Sequence, residues 1–107
     1  MDIVWLLLAA AAGYLLGSFP SGLVYVHLFT GKDVREVGSG RTGGTNAMRA
    51  GGFWIGLLTA VSDILKGTAA VWLAQALAPE GVRDWAMVIS GLGSILGHNY
   101  PVWLGFK

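Results

Sequence analysis

Residues 3–26 read IVWLLLAAAAGYLLGSFPSGLVYV, a run of 24 residues without a charged side chain. As a helix this run would be about 36 Å long, which exceeds the roughly 30 Å hydrocarbon core of a bilayer. A secretory signal peptide is excluded because the flank, Met1-Asp2, is not basic and the run exceeds an apolar region of about 7–15 residues. The run predicts a membrane-spanning helix, and Pro20 is expected to kink it.

Two further stretches are long and apolar enough to cross a membrane. The whole chain is 54% hydrophobic and 12% charged, whereas about a quarter of the residues of a soluble globular protein are charged. The sequence therefore predicts an all-α polytopic membrane helix bundle. It is expected to form one truncated integral membrane domain, residues 1–107, with spans at about residues 3–26, 53–78 and 85–104.

The basic residues are unevenly distributed between the connections. One of them, Arg83, lies between the second and third spans, and four lie between the first and second: Lys32, Arg35, Arg41 and Arg49. Because cytoplasmic loops are enriched in Lys and Arg, we expect the loop at about 31–52 to be cytoplasmic and the N-terminus to be outside. This predicts a multi-pass protein of the cell membrane with its polar residues on or near the cytoplasmic face.

Glycine spacing indicates close helix packing. Seventeen of the 107 residues are glycine, and three pairs fit the G-x-x-x-G spacing that lets membrane helices approach each other. The pairs are Gly13 with Gly17, Gly52 with Gly56, and Gly93 with Gly97. The spacing predicts close packing and leaves the partners open.

The first connection contains the stretch GSGRTGGTN, residues 38–46, followed by Arg49. Glycines allow several backbone N–H groups to converge on one anion, and arginine offers a fork of donors that matches phosphate oxygens. We therefore predict a phosphate site, with a solvated linker as the alternative. Thr45 or Asn46 is expected to cap a helix that begins near Ala47, which would place Arg49 one turn inside that helix.

Two familiar nucleotide-binding motifs are excluded. The formal G-x-G-x-x-G match at Gly38, Gly40 and Gly43 is followed twenty residues later by Asp63. That acid lies in an apolar span, and no buried parallel strands flank the loop. A Walker A motif fails because Gly44-Thr45 stands where Gly-Lys-Ser/Thr is required.

Four polar residues interrupt the later spans. Asp63 and Lys66 are three residues apart and share a helix face, so they form either a structural ion pair or part of a phosphate and hydroxyl site. His98 is either a helix–helix hydrogen-bonding residue or part of that site, and Asn99 lies before Tyr100-Pro101, where a helix is expected to bend. No metal site is predicted, because His27 is the only other imidazole and no acidic cluster accompanies it.

Together these motifs resemble the bacterial membrane glycerol-3-phosphate acyltransferases that use acyl-phosphate as donor. The resemblance covers essentially the whole chain through four elements in order. They are Gly17, Ser18, Pro20 and Gly22; Arg35, Glu36, Gly38, Ser39, Gly40, Gly43, Asn46 and Arg49; Asp63, Lys66 and Gly67; and Gly97, His98, Asn99, Pro101 and Val102. The chain departs from the family pattern at Arg41-Thr42 and at Gly44.

The resemblance implies transfer of an acyl group from acyl-phosphate to the sn-1 hydroxyl of glycerol-3-phosphate, giving lysophosphatidic acid. It also implies about seven helices and a second glycine-rich phosphate loop beginning at Lys107, so we expect the 107 residues alone to be inactive. The implied catalytic residues are Ser39, Asp63, His98 and Asn99. The implied phosphate-binding residues are Gly38, Gly40, Gly43, Asn46, Arg49, Lys66 and Lys107.

The implied partners are the two substrates and membrane lipid, with no cofactor and no nucleic acid. The alternative function is a non-enzymatic segment, part of a transporter, that binds phosphate or anionic lipid with the same loop. Neither the acyl-chain preference nor the oligomeric state is predicted.

Overall fold

The computed structural model describes residues 2–102, which form helices and turns and contain no β-strand. The α-helices are α1 (Asp2–Gly17), α2 (Ser21–Thr30), α3 (Gly44–Gly51), α4 (Phe53–Leu77) and α5 (Arg83–Asn99), with 3₁₀ turns at Val34–Glu36 and Glu80–Val82. The all-α prediction is confirmed. Lys107 and the end of the predicted third span lie outside the described residues.

Two helical stretches have the length and hydropathy of a membrane span, Asp2–Thr30 and Phe53–Leu77. Helix α5 has 17 residues, or about 26 Å at 1.5 Å per residue, and it ends before the predicted limit at residue 104. The third span therefore stays a prediction. Large apolar side chains such as Leu7, Ile64 and Trp72 are more than half exposed, and a lipid environment accommodates such surfaces better than water does.

The first span is interrupted rather than merely kinked at Pro20. Helix α1 ends at Gly17 and α2 begins at Ser21, with Pro20 in a non-helical conformation at φ −86° and ψ 75°. Proline lacks the N–H that would continue the ladder, and its ring clashes with the preceding turn. The predicted kink is at the correct position, but the helix is interrupted there rather than bent.

The described residues form two compact units. We call residues 2–19 and 65–102 the helical unit, and Pro20–Ile64 the loop unit. The boundary between them falls within α4, after Ile64. The helical unit thus contains α1, α5 and the later part of α4, while the loop unit contains α2, α3 and the earlier part of α4.

In the helical unit, α1 and α5 run parallel and pack through their glycines. A Cβ on Gly17 would lie 2.6 Å from the Cα of Ser94. A Cβ on Gly97 would lie 2.8 Å from the backbone nitrogen of Ser18. Only hydrogen fits at such positions, so both predicted glycine pairs of these helices serve one interface. The close packing of α1 and α5 is confirmed, and the structure supplies the partners.

The same unit has a core of small side chains where α1, α4 and α5 meet. Its buried members are Ala9, Ala74, Ala78, Val82 and Ala86. The Ser90 hydroxyl donates to the Ala70 carbonyl oxygen over 2.8 Å, which satisfies a buried polar group between α5 and α4. Small residues and one internal hydrogen bond replace the large apolar core that a soluble bundle would need.

In the loop unit, the buried side chains of Val26, Val34, Ala47 and Ala50 hold α2, the first 3₁₀ turn and α3 together. Outside this core, a Cβ on Gly56 would lie 2.6 Å from the Met48 Cβ, so α3 packs closely on α4. Of the two glycines in the Gly52 and Gly56 spacing, only Gly56 lies in a close helix contact. Gly52 ends α3 at φ +97° with open space around it.

Candidate functional site

Residues 38–46, which we call the glycine loop, form tight turns. Backbone N–H groups of these turns donate hydrogen bonds to nearby residues of the chain. Gly38 and Gly40 have φ of +50° and +74°, a region that other residues rarely adopt. The Gly40 N–H donates to the Val37 carbonyl over 2.9 Å, and the Arg41 N–H donates to the Ser39 Oγ over 3.3 Å. These N–H groups hold the loop, so for them the prediction of amides converging on an anion is wrong. Gly43 has φ −73° and no steric need for glycine.

Asn46 is at the centre of the loop. It is 2% exposed, and its Nδ2 lies 2.8, 2.9 and 3.1 Å from the carbonyl oxygens of Val37, Arg41 and Val34. Its Oδ1 accepts the Ser39 N–H over 3.3 Å. Both ends of the amide are therefore engaged by loop backbone.

The predicted cap of α3 by Thr45 or Asn46 is wrong. The helix begins at Gly44, Gly43 occupies the N-cap position, and no side chain caps the helix. Asn46 lies inside the first turn and faces back into the loop. Arg49 consequently lies about 1.4 turns after the start of this eight-residue helix, which is also its last turn.

Arg49 lies against Gly38. A Cβ on Gly38 would be 3.3 Å from the Arg49 Cδ and 3.4 Å from its Nη1, and it would overlap the Asn46 Oδ1. The Arg49 side chain is exposed, and it makes no hydrogen bond or ion pair with residues 2–102 of the chain. Beside it, Ser39 is also exposed and its hydroxyl keeps a proton to donate.

The other two arginines of this region are placed differently. Arg35 forms a two-atom fork on Asp33, with Nη2 2.8 Å from Oδ2 and Nε 3.0 Å from Oδ1. Hydrogen bonds from Arg35 lower the pKa of the Asp33 carboxyl to about 2, so the pair stays ionised at neutral pH. Arg41 is exposed, and only its backbone is held by the loop. Arg49 is thus the arginine whose guanidinium is both placed by the loop and available to an anion.

The remaining predicted residues are on α4 and α5. Asp63 is half-buried in the loop unit; Lys66 and His98 are half-buried and Asn99 is exposed in the helical unit. The Lys66 Nζ donates to the Phe19 carbonyl oxygen over 2.8 Å. That carbonyl lies just beyond α1, where a cation suits the helix dipole.

Close to His98 and Asn99, the last turn of α5 is fixed to α1. The Tyr14 hydroxyl donates to the Tyr100 carbonyl oxygen over 2.6 Å. Pro101 follows immediately and is buried. This contact ends α5 at the level where α1 also ends, and the expected bend after Asn99 is confirmed by the end of the helix.

Sequence reasoning missed two contacts that shape the loop. A Cβ on Gly22 would overlap the Thr42 carbonyl, so α2 and the loop touch backbone to backbone. The Asp33 carboxylate accepts the Arg35 N–H over 2.9 Å, a turn that presents the Val34 carbonyl to Asn46. The Asp-x-Arg spacing was a usable signal for that turn, whereas nothing local indicated the partner of Gly22.

Comparison with known proteins places this arrangement in context. Residues 7–107 match the sequence profile of the family described as glycerol-3-phosphate acyltransferase. A relative of that name from Mesorhizobium japonicum is 50% identical over 102 residues, which cover 95% of this chain and 50% of the relative. One from Symbiobacterium thermophilum is 50% identical over 98 residues, covering 92% and 47%. The chain spans about half the length of these curated relatives.

Two solved structures are similar to this chain. One is the glycerol 3-phosphate form of PlsY (YgiH), an integral membrane glycerol 3-phosphate acyltransferase, with 42% identity and a TM-score of 0.80. The other is the lysophosphatidic acid form, with 39% identity and a TM-score of 0.73. The match covers 95% of this chain in each case, and 50% and 48% of the solved chains.

Proposed function

This chain belongs to the glycerol-3-phosphate acyltransferase family, and we propose that its glycine loop binds a phosphate group during acyl transfer. The proposed reaction transfers a fatty acyl group from acyl-phosphate to the sn-1 hydroxyl of glycerol-3-phosphate. The products are lysophosphatidic acid and inorganic phosphate. The forms named for the two PlsY structures support this choice over the non-enzymatic alternative.

The placement of Arg49 carries the proposal. Its exposed side chain lies against Gly38, where a Cβ would come within 3.4 Å of the Arg49 Nη1, and Ser39 follows the same glycine in the chain. A guanidinium can form two parallel hydrogen bonds to phosphate oxygens, and a serine hydroxyl can add a third. The loop is therefore a small anion site with one charged and one neutral donor.

The chemistry requires the two substrates to be held together rather than a covalent enzyme intermediate. The hydroxyl oxygen attacks the acyl carbonyl carbon, the bond from that carbon to the phosphate oxygen breaks, and the released phosphate carries away the electron pair. The hydroxyl proton passes to a base, either a side chain or a phosphate oxygen. Both substrates are anionic, so positive charge that offsets their repulsion and fixes their geometry lowers the barrier.

The other residues have proposed roles that substitution can separate. Asp63, His98 and Asn99 are the side chains proposed to orient or deprotonate the attacking hydroxyl. Lys66 and Lys107 are proposed to add positive charge. For Lys66 the competing role is structural, because its ammonium already donates to the Phe19 carbonyl oxygen.

We also propose the membrane arrangement that this reaction needs. Helix α5 is the third membrane span, after the two candidate spans. The whole protein has about seven helices and is embedded in the inner membrane. The parallel course of α1 and α5 supports three successive crossings, because alternate spans of a polytopic protein run in the same direction. The basic first connection favours a cytoplasmic loop and an outside N-terminus, with the acyl chain in lipid.

Steady-state kinetics of the full natural reading frame tests the proposal. Arg49→Ala should remove a charge-assisted interaction worth about 1.5–3 kcal/mol, which is roughly a 10- to 150-fold loss of kcat/KM. Arg49→Lys should recover only part of this loss, because an ammonium cannot reproduce the bidentate fork. Both substrates are varied, so that the KM that rises identifies the phosphate bound by Arg49.

Arg41→Ala is the matched control, since Arg41 belongs to the same loop and its side chain is exposed. It should change kcat/KM by less than about threefold. Folding of each variant is checked by its elution volume in detergent. Wild-type kinetics for Arg49→Ala, or a larger loss at Arg41, would place the anion elsewhere.

A further inference from the structure

We propose that Asn46 is a positioning residue that sets the shape of the glycine loop and thereby the placement of Ser39 and Arg49. This inference rests on the proposed function, and it replaces the phosphate-binding role that the sequence predicted for Asn46. Three independent observations support it: the satisfaction of its amide, its burial, and the fit of Gly38 against it.

The hydrogen bonds of Asn46 leave no donor for a ligand. The two hydrogens on Nδ2 serve three carbonyl oxygens, those of Val34, Val37 and Arg41, at 2.8–3.1 Å. These carbonyls come from both sides of the loop, before and after Gly38 and Gly40. The Asn46 side chain therefore holds the two sides of the loop together, as backbone hydrogen bonds do in helices and sheets.

The Oδ1 of Asn46 links the amide directly to the predicted ligands. It accepts the N–H of Ser39 over 3.3 Å, which fixes the backbone from which the Ser39 hydroxyl projects. A Cβ on Gly38 would overlap this same oxygen and would also approach the Arg49 side chain. Asn46 and Arg49 therefore pack against one glycine, three residues apart on α3.

Burial makes this role costly to remove. Asn46 is 2% exposed, so water cannot readily replace its amide at the three carbonyls, and buried carbonyls without donors are unfavourable. The loop of an Asn46 variant is expected to relax to another conformation. A displacement of about 1 Å at a substrate-positioning group can cost about 100-fold in rate.

The test combines kinetics with hydrogen exchange in the full natural reading frame. Asn46→Ala and Asn46→Asp should each lower kcat/KM by roughly 30- to 100-fold and raise the same KM that Arg49→Ala raises. Simple loss of folded enzyme would instead lower kcat and leave KM unchanged. Thr45→Ala is the matched control, because Thr45 is the exposed neighbour on α3 and its side chain makes no hydrogen bond with residues 2–102.

Hydrogen exchange separates positioning from ligand binding. The loop peptide that covers residues 38–46 should exchange faster in both Asn46 variants. Alanine removes both ends of the amide, whereas aspartate keeps an acceptor for the Ser39 N–H but cannot donate to the three carbonyl oxygens. It should exchange at the wild-type rate in Arg49→Ala and Thr45→Ala. The losses in the Asn46→Ala/Arg49→Ala double variant should be less than the product of the two single losses, since part of the Asn46 effect acts through Arg49.

Three results would overturn the inference: unchanged loop exchange in Asn46→Ala, an unchanged KM, or losses that multiply in the double variant. Multiplied losses would mean that Asn46 contacts substrate independently. If the wild-type protein transferred no acyl group, the proposed function would fall. The exchange experiment would still decide whether Asn46 holds the loop.

Discussion

Replacing Gly17 by alanine should separate α1 from α5. A Cβ at this position would lie 2.6 Å from two backbone atoms of Ser94, its Cα and its carbonyl carbon. Carbon atoms in contact prefer about 3.5–4.0 Å, so the helices must move apart by about 1 Å. The obstructing atoms belong to the backbone, and no change of rotamer can relieve the overlap.

The expected change in the free energy of unfolding follows from this overlap and from a comparison with Gly67. Overpacking of this kind costs about 1–3 kcal/mol. Gly67 lies in the same unit, in the interior of α4, and its Cβ would meet only the Ser94 Oγ at 3.7 Å, an ordinary contact. Gly67→Ala should therefore stabilise the protein by about 0.5–1 kcal/mol through helix propensity. The two alanine variants should differ by roughly 1.5–4 kcal/mol.

Thermal unfolding of the full natural reading frame in one detergent measures the difference. For a chain of 150–250 residues, each kcal/mol corresponds to about 2–4 °C in Tm. Gly17→Ala should unfold below the wild type and Gly67→Ala at or above it. Equal Tm values for the two variants would refute the glycine interface as the contact that holds these helices together.

Two further predictions concern topology and the break in the first span. A single cysteine at Arg41 should be protected from an impermeant thiol reagent in intact cells while cysteines at Asp2 and Glu80 are labelled; the reverse pattern would invert the proposed orientation. Lys66→Met should raise at least one KM, because it removes a positive charge proposed to act on the substrates, and lower the Tm, because it removes the donor to the Phe19 carbonyl oxygen. A lowered Tm with both KM values unchanged would leave Lys66 only the structural role.

Features that depend on residues close together in the sequence could be predicted from the sequence. The apolar runs predicted long helices, Pro20 predicted a kink at the point where the first span breaks, and the glycine spacing on α1 and α5 predicted close approach. Each of these predictions rests on local physical chemistry. A continuous apolar run favours a membrane helix, proline lacks a backbone N–H, and glycine lacks a Cβ. The glycines and Arg49 likewise led to the hypothesis of an anion-binding loop, which stays a prediction.

Only the tertiary structure decided which groups each of these residues contacts. Asn46 had the composition of a helix cap, yet its amide is engaged by carbonyls 5 to 12 residues earlier in the chain. Gly52 had the spacing of a packing residue and instead ends α3 at φ +97°. The Lys66 ammonium donates to a carbonyl 47 residues away, which no local pattern indicated. A side chain's residue type fixes which hydrogen bonds and contacts it can make, whereas the packed chain fixes which groups are near enough to make them.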